Sequence, residues 1–547
     1  MSSRSDRGTY DAIVVGSGVN GLACAALLAQ AGRRVCVLER SESLGGAIQT
    51  AEITRPGFHH DVFSAWHPLW VGGAAHARLG DELGRHGLEY LNTDFPTATL
   101  FPDGEAAFLL RTAEENAAEL DRHEPGDGHA WRAMLDDFFP NADLAFGVLG
   151  TELWSRHGAA LALRAYRRLG RRGTAEFAAR LLVSARDWLT DTFRSPRAHG
   201  LLAPWVLHTG LGPDTAASGY MAAVIAVAVQ EGGMPIPRGG GARLVDALAS
   251  AIRERGGTCQ TGADVTRVVT RDGRAAGVEI ESGDVIRAPV VVCNVTPTQL
   301  YGRLLNGVPF DVAAQAKKYR YGRSEMQIHF ALSQPPRWEG DERLGKTAIV
   351  HLTPGLDGVS RAVNEAERGL LPAEATVVVG QPLTIDPSRA PERSGLLWVQ
   401  LQELPWDVKG DAAGEIGVGD GAWTQALRER YADRIQNRIA RHIPNLESSL
   451  LERKVLSPAD LEAANVNLVH GDPYGGSLAL DQNFLWRPLG AAPGHRTFVE
   501  GVWHVGASTH PGPGLGAGSG TLVADAILEP AAPKRLANRL ATLARRG

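Results

Sequence analysis

DAIVVGSGVNGLACAALLAQAGRRVCVLERSESLGGAIQT, residues 11–50, lays out strand, turn, helix and second strand in one unbroken run. Ala12 to Val15 is an apolar run of the kind a strand buried on both faces needs. Gly16, Gly18 and Gly21 follow in G-x-G-x-x-G spacing and open an Ala- and Leu-rich segment that reads as a helix. Gly16 permits the tight turn, Gly18 lets backbone approach a pyrophosphate, and Gly21 lets the helix pack on the strand. The helix N-terminus then presents free N–H groups and the positive end of its dipole to the phosphates. A second apolar strand, Val35 to Leu38, ends on Glu39, where a carboxylate accepts hydrogen bonds from ribose hydroxyls. A lone G-x-G-x-x-G is weak. Here strand, glycines, helix, second strand and acid arrive in order, which predicts a dinucleotide site rather than an ordinary βαβ turn.

Composition narrows the class. A chain of 547 residues, 44% apolar and 21% charged, is that of a globular protein with two or more structural regions. A formal net charge of −5 carries no global nucleic-acid signal. Cys24, Cys36, Cys259 and Cys293 form no C-x-x-C pair, which excludes a redox-active disulfide of the glutathione-reductase type. Residues 1–10 are polar with no signal-peptide core, and the longest apolar run, Met221 to Val229, is too short to span a bilayer. Cytoplasm is therefore the expected compartment, with peripheral membrane contact as an added reading.

Gly45-Gly46 with Thr50 resembles the R-x-G-G-x-x-x-[ST] extension of the amine oxidase, phytoene desaturase and GDP-dissociation-inhibitor flavoproteins. The leading Arg is here Ser43 or, shifted, Arg40. The resemblance implies FAD rather than a nicotinamide cofactor. Two further stretches resemble phytoene desaturase-like proteins: GGMPIPRGGGARLVDAL (232–248), which returns the chain to the FAD domain, and GASTHPGPGLGAGSG (506–520), which closes it. The resemblance implies that Val265 sets its backbone against the adenine. It also implies that Gly506, Gly514, Gly516 and Gly518 form the closing loop, and that the following helix points its N-terminus at the flavin pyrimidine. Asn467 to Gly476 resembles a loop on the flavin side of the cavity.

Elsewhere the residues leave alternatives open. His59, His60, His67, Trp66 and Trp70 crowd one dozen positions. They read as packing or as aromatic lining near the flavin, ahead of a metal site, because no His pair has helical spacing with an acid. Glu89 to Arg111 reads as two strands about a turn at Phe101–Gly104. Pro235 and Pro237 are expected to break any strand. The arginines at 156, 164, 167, 168, 171, 172 and 180 read as a solvated helix face packed on a neighbour. The other reading is a basic helix on an anionic membrane. In Arg323 to Leu332, Met326, Ile328 and Phe330 alternate with Glu325, Gln327 and His329, so the polar set faces either a pocket or water. No lysine occurs there; Lys317 and Lys318 stand upstream.

The expected fold is α/β: a discontinuous FAD-binding Rossmann-like (ββα three-layer) domain with an inserted α+β substrate domain. Its segments are 1–110, 231–300 and 496–530 for FAD, 111–230 for a helix-rich substrate or membrane-facing region, 301–495 for the substrate domain, and 531–547 for a basic tail. The expected activity is FAD-dependent dehydrogenation or desaturation of an apolar, polyene- or isoprenoid-like small molecule, with oxygen, a quinone or another external acceptor reoxidising the flavin. Candidate acid–base residues are His510, His67, Glu325 and His329. Alternatives are oxidation of a C–N or C–O bond in another metabolite, a flavin-assisted isomerase, and a lipid carrier of the GDP-dissociation-inhibitor type. No metal or nucleic-acid partner is expected.

Overall fold

Four apolar residues in a row leave no face of a strand for water, so such runs must be covered on both sides. In chain order the strands longer than two residues are β1 (Ala12–Val15), β2 (Val35–Leu38), β3 (Thr97–Leu100), β4 (Ala106–Leu109), β5 (Thr258–Gln260), β6 (Val265–Arg271), β7 (Arg274–Ile280) and β8 (Val285–Arg287). They continue with β9 (Val291–Asn294), β10 (Ser324–Leu332), β11 (Ile349–Leu352), β12 (Val377–Gly380), β13 (Gly395–Leu404), β14 (Leu450–Leu456) and β15 (Val502–Val505). Five helices matter for the site: α1 (Val19–Gln30), α2 (Arg156–Arg180), α3 (Ser218–Gly232), α4 (Ala242–Glu254) and α5 (Gly518–Leu528). This computed structural model describes residues 9–529. The expected basic tail, 531–547, lies outside the described residues, as do residues 1–8.

The first sheet is parallel, in the order β15-β9-β1-β2-β5. Ile13 of β1 stands opposite Cys36 on one side and Val291 on the other. Strands from three distant parts of the chain therefore make one sheet. Helix α1 is buried along nearly its whole length between this sheet and α4 and α5. It stops at Gly32, whose φ of +78° accepts the left-handed turn that ends a helix. The antiparallel strands β6-β7-β8 lie over the other face and bury Val268, Val278 and Ile286 with Ile13 and Val15.

The second sheet has the order β14-β10-β13-β12-β11-β3-β4 and is antiparallel except where β11 runs parallel to β3. One face, with Met326, Ile328, Phe330, Val350, Val379 and Val399, packs on Tyr431 and Ile435. The hairpin β3–β4 is where the sequence places it, but it belongs to this sheet rather than to an FAD segment running to residue 110, because β3 pairs with Ile349–Leu352. The expected substrate domain also begins later than 301: Leu300, Leu304, Val312 and Ala316 pack into the first sheet's core. Ile236–Pro237 is a two-residue edge strand against Tyr90–Leu91, where the prolines predict none. Proline is tolerated at an edge.

The helical insert between 113 and 232 packs on the opposite face of the second sheet, against Ala107, Leu109, Ile349, Val378 and Trp398. Helix α2 starts on a Ser155 cap and is interrupted at Gly170, whose φ is +69°. Its arginines are mostly ion-paired: Arg156 with Glu529, Arg164 and Arg168 with Asp143, Arg172 with Glu176, Arg180 with Asp137. Only Ala165 of this helix is buried, and Leu163 and Tyr166 are exposed. No helix among the described residues is long and apolar enough to cross a membrane.

A buried ion cluster ties the glycine turn before α4 to the short strand His60–Asp61 and to the segment following β12. Arg389, fully buried, pairs with Asp61 and with Asp386 (Nε to Oδ2, 3.1 Å), and donates to the Pro237 carbonyl at 2.8 Å. Asp61 in turn accepts from Thr50 Oγ1 at 2.7 Å and from Gly241 N at 2.8 Å, while Asp386 accepts from Gly239 N at 2.7 Å. The glycine turn before α4 is therefore pinned from both sides.

Candidate active site

One cavity of about 750 Å³ runs from the glycine turn after β1 to the polar face of β10 and β13. At the first end it is walled by backbone. Gly16 adopts φ +89°, and a Cβ there would stand 2.8 Å from the Asn294 carbonyl oxygen. A Cβ on Gly18 would meet Asn294 Nδ2 at 2.7 Å, and one on Gly45 the Ile48 oxygen at 2.3 Å. No side chain fits at these turns without displacing Asn294 or Ile48, so glycine main chain lines this end of the cavity, which is what a pyrophosphate needs. The residues present therefore fit a dinucleotide. Helix α5 meets α1 so closely that a Cβ on Gly520 would lie 2.0 Å from the Asn20 oxygen. The two helices thus begin side by side at this end, with Gly514 and Leu515 in the wall.

Gly16, Gly18, Glu39, Arg40, Gly45, Gly46, Val265, Gly506 and Gly514 line the cavity. Gly21, Gly516 and Gly518 do not: Gly21 sits under the Gly16 carbonyl, Gly516 against Leu69 and Gly518 against Pro511, so they shape the turns. Glu39 accepts from Ser17 N (2.9 Å), Ser17 Oγ (2.7 Å) and Ser41 N (2.9 Å). A carboxylate has about four acceptor sites, so one remains for a ribose hydroxyl. Sequence reading missed the ion pair of Arg303 with Asp264 at this end, 3.2 Å. It also missed Ser17, whose hydroxyl receives Gly45 N at 3.0 Å.

The far end is where the alternation in β10 acquires meaning. Glu325 and Gln327 line the cavity, with Gln400, Gln402 and Trp398 from β13 beside them and Tyr474 from the loop over 467–476. Gln327 stands opposite Gln400 in the antiparallel register. This face therefore borders a pocket, not bulk water. Apolar cover comes from Trp66, Trp205, Ile225, Val229, Met234 and Ile349. His208 lines it too, with Nε2 3.1 Å from Nε2 of His351. Burial lowers His208 to about 4, so the ring is neutral. Lys317 and Lys318 are exposed at a helix end away from this wall.

Of the four acid–base candidates only Glu325 is in the wall. His329 is fully buried in the second sheet, its ring edge-on to His60 at 5.1 Å between centroids and its Nε2 3.2 Å from the Val62 carbonyl. His67 holds Tyr90 Oη at 2.9 Å through Nδ1, and its Nε2 faces the Gly241 turn. His510 is buried in the closing loop. Burial lowers all three to about 4. Trp70 and His60 belong to the core, and His59 faces Glu52 at 3.7 Å, so the histidine-rich stretch disperses to separate partners.

Glu325 is 3% exposed, and burial pushes its carboxyl up to about 8. Its neighbours agree with a proton on it. Gln400 Nε2 donates to Oε2 at 2.7 Å. Tyr474 Oη lies 2.9 Å from Oε1, 2.7 Å from the Leu207 carbonyl and 3.0 Å from Gln402 Nε2. The phenol has one proton. Donated to Leu207, it leaves two lone pairs, which receive Gln402 and a protonated Glu325, and every contact is satisfied.

The model of the flavin containing amine oxidoreductase family matches residues 20–414. The chain is 26% identical to pyridine nucleotide-disulfide oxidoreductase domain-containing protein 2 of Mus musculus, over 95% of this chain and 93% of that one. It is 25% identical to a neurosporene-forming phytoene desaturase of Rhodobacter capsulatus, over 97% and 96%. Among solved structures, an oxidoreductase from Methanosarcina mazei covers 95% of this chain and 100% of its own at a TM-score of 0.59 and 16% identity, a likeness of fold.

Proposed function

The chain belongs to the flavin containing amine oxidoreductase family and is an FAD-dependent oxidoreductase, and on that premise we propose that it dehydrogenates a small molecule with a largely apolar body. The observation that carries this is the single cavity joining the glycine cradle to Glu325. When bound, the flavin would supply a two-electron hydride acceptor for a substrate C–H, one that oxygen, a quinone or another external acceptor could reoxidise.

The chain's own residues do the rest. Gly16, Gly18, Gly45 and Gly46 bring main chain to the pyrophosphate, and Arg40 and Glu39 border it. Trp66, Trp205, Trp398 and Ile349 hold the substrate's apolar surface and keep water out. Glu325 is the acid–base group of the far wall: once ionised, its carboxylate receives the proton that leaves the substrate as the hydride departs. Tyr474 and Gln400 fix the orientation of that carboxyl.

Anaerobic mixing of the purified yellow protein with candidate substrates tests this reading. Bleaching of the oxidised flavin band is expected. Substrate conversion without bleaching points to isomerisation and overturns it, and binding with neither points to a carrier.

A further inference from the structure

The far wall of the cavity carries more hydrogen-bonding capacity than an apolar ligand can use. Alternation along β10 and β13 sends Met326, Ile328, Val399 and Leu401 into the sheet's core and turns Glu325, Gln327, Gln400 and Gln402 toward the cavity. Glu325, Gln400, Tyr474 and the Gln402 amide N–H satisfy one another as described. Two acceptors are left over. Oε1 of Gln327 and Oε1 of Gln402 have no partner, on side chains that are each only 2% exposed. A buried carbonyl oxygen without a donor costs about 1–3 kcal/mol, so two on one wall of a pocket mark a place where a ligand donor is received.

The charge of that donor follows from what surrounds it. Besides the neutral His208, the ionisable groups lining the cavity away from Glu325, namely Glu39, Arg40, Asp264, Arg303 and Glu462, stand with the glycine turn or on the helix Pro458–Ala464. At the far wall the one carboxyl is Glu325, which holds its proton at neutral pH and whose oxygens are both engaged. An ammonium would find no counter-charge here, and a carboxylate has no hydrogen to give the two amide oxygens; the indole N–H groups of Trp66 and Trp205, likewise unpartnered on this cavity, favour a donor that also accepts, as a hydroxyl or a carboxamide does. Size adds a second limit. The whole cavity is about 750 Å³ and is shared with the dinucleotide, whereas pockets of roughly 300–1,000 Å³ hold a single drug-sized ligand. The part left for substrate suits a compact body rather than a long polyene.

We propose that the substrate of this cavity is a compact amphipathic molecule carrying an uncharged hydrogen-bond donor, a hydroxyl or a carboxamide, received by Oε1 of Gln327 and Gln402. This rests on the reading of the cavity as the substrate site of a dehydrogenase. It adds that the polar end is specified by the two amides while the tryptophans accept the apolar end.

The test uses the flavin-bound protein at pH 7 and four matched probes: cyclohexylmethanol, cyclohexylmethylamine, cyclohexanecarboxylate and methylcyclohexane. Binding is read from the perturbation of the flavin absorption spectrum. Cyclohexylmethanol is expected to bind at least tenfold more tightly than each of the others. Gln327→Met and Gln402→Met, which keep the length of the side chain, are expected to remain yellow and to erase that preference. Equal binding across the series, no binding at all, or tightest binding of the amine or the acid overturns the proposal. So does loss of the flavin from both variants, which would make the amides cofactor ligands. A preference that persists while no compound bleaches the flavin leaves this inference standing and removes the dehydrogenase reading instead.

Discussion

Replacing Glu325 by Gln substitutes a permanent neutral group for one whose charge is suppressed, and the consequence for stability can be worked from the structure. Burial raises the carboxyl from its ordinary 4.5 to about 8 in the folded protein. Between those two values the unfolded chain releases the proton and the native chain keeps it, so the unfolded state binds fewer protons. Native stability therefore falls as pH rises through that window, by up to about 1.4 kcal/mol per pH unit, and levels off above pH 8. The variant lacks this slope. From pH 5.5 to pH 9 the difference accumulates to about 3 kcal/mol, and at about 2.1 cal/mol/K of unfolding entropy per residue it amounts to about 3 °C in a chain this long. The melting temperature of Glu325→Gln, measured against the parent at each pH, should rise by that amount across the range. Flavin reduction provides an independent reading: in the parent it should climb about tenfold per pH unit below an inflection near 8, and in the variant be 10²–10⁴-fold slower without the inflection. A melting difference that is flat or of opposite sign, together with an unchanged inflection, would refute both the buried neutral carboxyl and its role.

Three further outcomes follow from the geometry. Gly18→Val should give soluble protein with native circular dichroism but no yellow colour, since even its Cβ would meet Asn294 Nδ2 at 2.7 Å within the cradle; retained flavin absorbance would show the cradle to be elsewhere. Arg389→Met leaves Asp61 and Asp386 buried without their cation, and denaturant titration should show a loss of about 3–5 kcal/mol. Gly520→Ala places a methyl carbon 2.0 Å from the Asn20 carbonyl oxygen unless the helices shift, and should lower stability by about 1–3 kcal/mol and raise the flavin dissociation constant; unchanged values would mean the helices part freely.

The dinucleotide half was legible because its signals are local. Strand, glycine spacing and acid lie within one βαβ unit, and the structure sets Gly16, Gly18 and Glu39 at one end of the cavity. The far wall was half legible. Alternation in β10 named the two faces, but which of them met a pocket depended on β13, whose GLLWVQLQEL gives little away until it is paired with β10. The same limit misassigned the hairpin β3–β4: its turn is a local feature, while its partner strand β11 lies some 250 residues on. The histidines misled for another reason. His510 stands in a recognisable T-H-P-G motif, but a motif fixes the backbone and leaves the side chain's direction open, and this ring points into packed protein.

The order of the first sheet has a consequence for how the chain reaches its working state. Gly18 and Gly514 border the same cavity, and β15 pairs with β9, which pairs with β1. At a synthesis rate of about 5–20 residues per second, the second glycine leaves the ribosome about 25–100 s after the first. During that interval β1, β2 and α1 exist without the strand that flanks β9 and without the helix α5 that covers α1. The cofactor cradle is thus a late product of synthesis, closed by the last described segment, and FAD can act as a ligand that selects completed chains.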